Sequence, residues 1–119
     1  MKITAVRTVQ LTRRLERTQR NSCQQRDARK FTFVLVDTDA GLTGLGDAFG
    51  DPLLVETIVQ RRLGPMAIGA DPCDIPALWK RLFASRAFWE PGGSVVCGIS
   101  AIEVACWDIR GQARGSRRL

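Results

Sequence analysis

The sequence predicts an α+β fold, a three-stranded antiparallel meander followed by a three-helix bundle. Three observations carry this reading. Apolar residues alternate at period two up to about residue 48 and then recur at period 3.6. The turn sequence Thr38-Asp39-Ala40-Gly41 separates two strand-like runs and makes them a hairpin. Beyond Gly50, Asp51-Pro52 and Asp74-Ile75-Pro76 each set a capping carboxylate ahead of a proline, the order that opens a helix. With 119 residues, 45% apolar and 25% charged, the chain has the size and composition of one folded domain.

Residues 2–12 (KITAVRTVQLT) are rich in β-branched side chains and form the first strand, with Ile3, Ala5, Val9 and Leu11 on one face and Arg7 the exception. Residues 16–30 (ERTQRNSCQQRDARK) have no apolar period and no aromatic, and read as a long polar loop. Residues 31–37 (FTFVLVD) are a near-continuous apolar strand, the pattern of a strand covered on both faces. Gly41 is free to take positive φ in the turn that follows, and residues 42–48 return as the third strand.

The first helix carries Val55, Ile58, Val59 and Leu63 on one face and stops at Gly64-Pro65. The second, opened by Asp74, has Leu78, Trp79, Leu82 and Phe83 on its apolar stripe and runs to about Ala87. Pro91-Gly92-Gly93 breaks the chain, and Ser94 caps a third helix from Val95 to about Ala113. There Val95, Ile99, Ile102, Cys106, Ile109 and Ala113 recur at spacings of four and three. Ala101, Val104, Ala105 and Trp107 widen this surface, so the helix is expected to pack on more than one side.

The chemistry open to the chain is narrow. It has no His, no Tyr and only three Lys, so the usual general base at neutral pH is missing. No G-x-S-x-G and no Walker-type loop occurs, and Gly44-x-Gly46 lies in a hairpin rather than at the start of a βαβ unit. Cys23, Cys73, Cys97 and Cys106 include no C-x-x-C pair, and without His the mixed zinc patterns cannot form. Cys97 and Cys106 sit among apolar residues as small core side chains, which implies a reducing compartment, the cytoplasm. No segment reaches the roughly 18 apolar residues that span a bilayer, and no secretory signal follows Lys2. Glu103 and Asp108, five apart on a helix, diverge by about 140° and do not face one substrate, whereas Glu103 and Arg110 share a face as a loose charge pair. Asp108 is expected to meet a neighbouring segment or a second domain, and Trp79, Trp89 and Trp107 to anchor core or interface.

The formal charge of +6 belongs to the ends. Residues 1–30 carry nine basic and two acidic side chains, residues 31–109 five and ten, and residues 110–119 four Arg and no acid. An acidic body between basic ends, with no aromatic among residues 13–30 to stack on bases, weighs against a nucleic-acid partner. It suits a solvated loop, or one that meets a small anion.

Several motifs, in order, now resemble one family. Met1-Lys2-Ile3-Thr4-Ala5-Val6, the hairpin Val36-Asp37-Thr38-Asp39-Ala40-Gly41-Leu42-Thr43-Gly44-Leu45-Gly46-Asp47, and Leu63-Gly64-Pro65 followed by Ile68-Gly69-Ala70-Asp71-Pro72 are similar to the mandelate racemase/muconate lactonizing enzyme family of the enolase superfamily. The helix Ser100-Ala101-Ile102-Glu103-Val104-Ala105-Cys106-Trp107-Asp108-Ile109-Arg110-Gly111-Gln112-Ala113 is the most specific match.

The resemblance implies that residues 1–114 are a capping, substrate-specificity domain, which in the family sits over a (β/α)-barrel. That barrel carries the bases and the three carboxylates that hold Mg²⁺, which stabilises an enediolate formed next to a substrate carboxylate, as in acid-sugar dehydratases, racemases and cycloisomerases. None of those catalytic or metal residues maps onto this chain. The implied partners are a C-terminal barrel, an acid-sugar carboxylate and further copies of the chain. The cap loops of the family match residues 16–30 and 48–51, which makes Gln24, Arg26 and Phe49 the candidates for substrate contact. Asp47 stands where the family usually has Glu, and residues 115–119 form a divergent tail that does not lead into a barrel. The expectation is a truncated, frameshifted or split product, inactive alone. A stand-alone interaction module that dimerises through the third helix is the other reading.

Overall fold

The structure is a computed structural model that describes residues 1–20, 25–85 and 93–115. Its order is β1 (Ile3–Arg20), β2 (Gln25–Thr38), β3 (Thr43–Ala48), α1 (Pro52–Ile58), a π-helical turn (Val59–Leu63), α2 (Gly64–Ala67), α3 (Ile75–Ser85) and α4 (Ser94–Ala113). The strands form one antiparallel sheet in the order β1-β2-β3, and the helices lie on one side of it. The predicted α+β meander and helices are therefore what the chain forms. Among the turns, Gly41 takes φ of 76° as expected.

Five local expectations are corrected. Residues 16–30 are not simply a loop. β1 runs to Arg20 and β2 begins at Gln25, so the two strands continue past the sheet as a paired ribbon, Arg13 opposite Arg29 and Gln19 opposite Arg26, with a register shift between Arg14 and Gln19. Arg13, Arg14, Glu16 and Arg17 are exposed, and a ribbon of exposed side chains needs no apolar alternation, so nothing in the pattern announced it.

The first strand does not keep one apolar face either. A register shift between Ile3 and Ala5 moves the pleat by one residue. Ile3 is buried beneath the helices, while Val9 and Leu11 stand on the opposite, outer face. In β2 the inner side chains Val34 and Val36 are buried, but Phe31, Phe33 and Leu35 are only half-buried. The described residues cover one face of this strand, not the two its apolar run suggested.

The first helix does not end at Gly64-Pro65. Pro65 has no N–H to give, and the chain widens into the π turn just before it and continues as α2 to Ala67. Gly69 at φ 85° then turns the chain, and its N–H bonds to the Ile3 carbonyl while the Ile3 N–H bonds to Ala70. Lastly, Ser94 is the first residue of α4 rather than its cap. Gly93 at φ 67° takes the cap position, without a side-chain bond.

The other caps agree with the sequence. Asp51 Oδ1 accepts from the N–H groups of Leu53 (3.0 Å) and Leu54 (3.2 Å), and Asp74 Oδ1 accepts from Ala77 (3.4 Å). Val55, Val59, Leu63, Leu78, Leu82, Val95, Ile99, Ile102, Cys106 and Ile109 fill the core. Ala113, placed on the same stripe, is exposed. The helix α3 is described to Ser85, so its predicted last turn, Pro91-Gly92-Gly93 up to Gly92, Trp89 and Cys23 lie outside the described residues.

The helix α4 seats on β3 through small residues. Gly44 and Gly46 face the backbone of Ala105 and Ala101, and the glycines that resembled a nucleotide loop serve this close approach. It also covers the free edge of β3: Asp108 Oδ2 accepts from the Leu45 N–H (2.9 Å), and Gln112 Nε2 donates to the Thr43 carbonyl (2.8 Å).

One inner-face residue breaks the apolar pattern. Thr32 is 2% exposed and its hydroxyl has no hydrogen-bond partner among the described residues. A buried hydroxyl without a partner costs stability, and Val has the same shape. Thr32→Val is expected to stabilise the chain by about 1 kcal/mol, read as a raised melting temperature. A lowered one would show that the hydroxyl is bonded.

Candidate functional site

Where β3 ends at Ala48, β2 continues backward into the ribbon, and the step between them opens a groove of about 700 Å³. One wall is the base of the ribbon, Ala28 to Phe31. The other is the exit from β3, Asp47 to Pro52. Gly50, at φ 106°, lets the chain leave the sheet and start α1 within two residues. That tight exit leaves Phe49 88% exposed at the rim, with Leu53 and Leu54 also exposed on the first turn of α1. An aromatic so poorly covered gains nothing for the fold, which marks it as a contact surface.

The chemistry of the groove is mixed. Arg29 and Lys30 bring cations, Asp47 and Asp51 carboxylates, Phe31 and Phe49 flat apolar rings. The Asp51 carboxylate is engaged by the α1 cap, which leaves Asp47 as the freer acceptor. Guanidinium and ammonium donors beside a carboxylate acceptor suit hydroxyls and a carboxylate of a ligand, and the rings suit its carbon face. The described lining contains no hydroxyl, thiol or imidazole. The groove binds and orients; it presents no activated nucleophile.

Of the three sequence candidates, the structure places one plainly. Phe49 lies on the groove. Arg26 is in β2, opposite Gln19, one turn of the pleat beyond Ala28, and Gln24 lies outside the described residues. Arg29, Lys30, Phe31 and Asp47 were not singled out by the sequence. Arg29 and Lys30 lie inside the first of the two segments that were, Phe31 and Asp47 flank the two, and only the pairing of β1, β2 and β3 shows that they meet.

Elsewhere, Asp108 meets a neighbouring segment as expected, through Leu45. Glu103 and Arg110 are linked through Trp107 rather than to each other. The indole Nε1 donates to Glu103 (3.5 Å) and the guanidinium lies over the ring at 5.2 Å. Trp107 and Val104 remain partly exposed, so α4 is open on the side where its apolar surface was widest. Trp79 stacks on Phe83 with centroids 4.3 Å apart.

At the far end of the sheet, Arg7 grips Asp37 with two bonds of 2.6 and 2.9 Å, and Thr43 donates to the same carboxylate. The guanidinium beside it holds the Asp37 carboxyl below its ordinary range. Burial pushes the Cys106 thiol up to about 12, with nearby Cys73, Glu103 and Asp71 adding to it. Among the described residues no three Asp, Glu or Cys side chains gather as a metal-binding group, so these residues do not fit the Mg²⁺ of the resembled family. Nor is any described helix long and apolar enough to cross a membrane.

The profile of the mandelate racemase/muconate lactonizing enzyme N-terminal domain matches residues 3–117, nearly the whole chain. The chain belongs to that family.

As a mandelate racemase/muconate lactonizing enzyme N-terminal domain, it is similar to a D-galactonate dehydratase family member of Streptomyces bingchenggensis, 36% identical over 89 residues. That match covers 73% of this chain and 21% of the relative. A D-mannonate dehydratase of Xanthomonas oryzae pv. oryzicola is 37% identical over the same span and with the same coverage. An enolase-superfamily member from Polaromonas sp. JS666 superposes with a TM-score of 0.87 and 30% identity, over 96% of this chain and 31% of that one. A mandelate racemase/muconate lactonizing enzyme-like protein from Rubrobacter xylanophilus also reaches 0.87, at 24% identity, and supports the fold alone. The chain thus spans about a fifth of the length of these curated relatives.

Proposed function

We propose that residues 1–114 are the capping and specificity domain of an acid-sugar dehydratase, racemase or cycloisomerase, in which proton abstraction next to a carboxylate and the Mg²⁺ requirement belong to a barrel outside these 119 residues. The observation that carries this is the groove. Two segments far apart in sequence meet there, with a nearly bare Phe49, two cations and two carboxylates, and no hydroxyl, thiol or imidazole among the described lining. Such a lining reads the distal carbons and hydroxyls of a substrate whose reacting end is held elsewhere. The dehydratase relatives support acid sugars as the class. Gln24, Arg26 and Phe49 are the proposed contacts, joined now by Arg29, Lys30 and Asp47. The chain works in the cytoplasm, where its thiols stay reduced, and alone it turns over nothing. Residues 115–119 are a tail outside the cap.

The test supplies the missing part. The cap of a D-mannonate or D-galactonate dehydratase is replaced by residues 1–114, and a panel of acid sugars is assayed. The fusion is expected to act on at least one, and Phe49→Ala to lower kcat/KM by about tenfold or more, since an aromatic contact is worth about 1–2 kcal/mol. Unchanged kinetics in Phe49→Ala would remove the groove from the substrate's path. Turnover by the purified 119-residue chain, free of contaminating enzyme, would overturn the assignment of the chemistry to a barrel. The other reading is a stand-alone interaction module that uses α4, where Val104 and Trp107 remain partly exposed, to dimerise or to dock on a partner.

A further inference from the structure

The hydroxyl that the fold leaves unsatisfied, on Thr32, has a thiol set beside it by the packing of α4 on β3. Gly44 faces Ala105 and Gly46 faces Ala101, so two residues along the strand match four along the helix, about 6.6 Å against about 6 Å. One step further, Ala48 comes opposite Cys97. Beyond it, a Cβ at Gly50 would lie 3.4 Å from the Cys97 Sγ, which fixes the thiol over this end of the strand. Thr32 is the cross-strand partner of Ala48, and its side chain shares the inner face with Val34 and Val36.

The two side chains are differently exposed. Among the described residues, Thr32 Oγ1 is the one buried side-chain oxygen or nitrogen without a hydrogen bond, so the Cys97 thiol does not reach it. Cys97, in the first turn of α4, packs on the core but remains partly open to solvent. The other described thiols lack this combination. Cys106 is closed off by burial. Cys73 lies at the opposite end of the sheet, just past the Ala70 carbonyl that bonds to Ile3.

We propose that Cys97 is a site of oxidation by hydrogen peroxide, and that Thr32 holds the sulfenic acid formed there. The sulfur, its proton given to solvent, attacks one peroxide oxygen. An S–O bond forms, the O–O bond breaks, and the departing hydroxide takes up a proton to become water. Sulfur loses two electrons and peroxide gains them. The added oxygen extends the side chain by one atom, and the Thr32 hydroxyl donates to it. The hydrogen bond missing from the reduced chain is thereby made in the oxidised one, so the cost of burying a bare hydroxyl becomes a preference for the oxidised state. The site stands directly behind Gly50, in the turn that presents Phe49 to the groove.

Dimedone trapping on the 119-residue chain tests this. The reduced protein is exposed to hydrogen peroxide, the excess is removed with catalase, and dimedone is added after increasing delays. Peptide mass mapping then follows the adduct at each cysteine. The sulfenic acid is expected to form at Cys97 and to persist longer there than at Cys73. Thr32→Val keeps the shape and removes the donor, and its Cys97 sulfenic acid is expected to decay roughly fivefold faster. Thr32→Ser keeps a hydroxyl and is expected to decay at close to the wild-type rate, with urea melts of the reduced proteins showing that each variant is folded. No adduct at Cys97, or one no more persistent than that at Cys73, would overturn the proposal. So would equal decay in wild type and Thr32→Val. None of these readouts uses activity, so their failure leaves the groove assignment standing, and an inactive fusion leaves Cys97 oxidation standing.

Discussion

Gly46→Ala is expected to cost the chain more than about 4 kcal/mol, enough to leave most of it unfolded at 37 °C. The backbone at Gly46 is ordinary strand, so an alanine there suffers no local strain. The obstacle is tertiary. A Cβ at this position would fall deep inside the van der Waals radius of the Ala101 carbonyl oxygen, and 2.9 Å from its carbon. Both atoms are main chain in the middle of a 20-residue helix, which cannot yield at one point. To admit the methyl, α4 must lift off β3, and with it go the Asp108 and Gln112 bonds that cover the strand's edge. Gly44 faces the same helix at Ala105 and is expected to behave alike. Gly41→Ala is the control, since it meets no atom within 4 Å and pays only for its positive φ, about 1 kcal/mol. Urea melts of the three variants separate the two costs. A loss of less than 2 kcal/mol in Gly46→Ala would mean that α4 sits on the sheet more loosely than the structure has it.

This contact also shows what a sequence does and does not carry. The meander and the helices were legible because a buried face imprints a period, two in β2 and 3.6 in α4, and because Asp51 and Asp74 announce their helices locally. The ribbon was not legible, since side chains such as Arg13, Arg14, Glu16 and Arg17 are exposed and leave no apolar period in the sequence. The phase of β1 was misread for a related reason. Ile3 and Val9 look equivalent at period two until the register shift at Ala5 turns them to opposite faces. Gly64-Pro65 reads as a stop, and only a widened turn lets the helix pass it. The glycines at 44 and 46 read as strand and hairpin geometry, whereas their reason is a helix 55 and more residues away in sequence.

The candidate site divides in the same way. Phe49 could be singled out because the family resemblance implies a cap loop over residues 48–51, where Phe49 is the one aromatic. Its neighbours in the groove could not, because Arg29, Lys30 and Asp47 acquire a common wall only through the pairing of β2 with both other strands. A groove built at the junction of three segments is a property of topology. The apolar outer face has the opposite history. The sequence of β2 asked for cover on both faces, and the helices provide it on one.

Alkaline pH is expected to unfold this chain through one thiol. Cys106 is buried on α4 between the sheet and α3, and its pKa is pushed up to about 12, chiefly by burial, from 9.0 in the open chain. The sign follows from linkage. Below about pH 9 both states keep the proton and stability is full. Between about 9 and 12 the unfolded chain releases a proton that the folded chain retains, so stability falls by up to roughly 1.4 kcal/mol per pH unit. Above 12 the loss levels off at about 4 kcal/mol, an upper bound comparable with the stability of many domains this size. The absence of Tyr leaves fewer other groups to change charge at alkaline pH. Urea melts at pH 8, 9, 10 and 11 under reducing conditions are expected to fall steeply for the wild type. Cys106→Ala removes the group at the cost of a small cavity, so it should start lower at pH 8 and decline less with pH. Thiol alkylation gives a second readout: at pH 8 Cys106 should react only at the rate of unfolding, while the less buried Cys73 reacts directly. Equal pH slopes in the two proteins would place the alkaline sensitivity elsewhere. Rapid labelling of Cys106 in the native chain would mean that α4 opens on its own, and the seat that Gly44 and Gly46 provide would not be the fixed contact on which the cap is built.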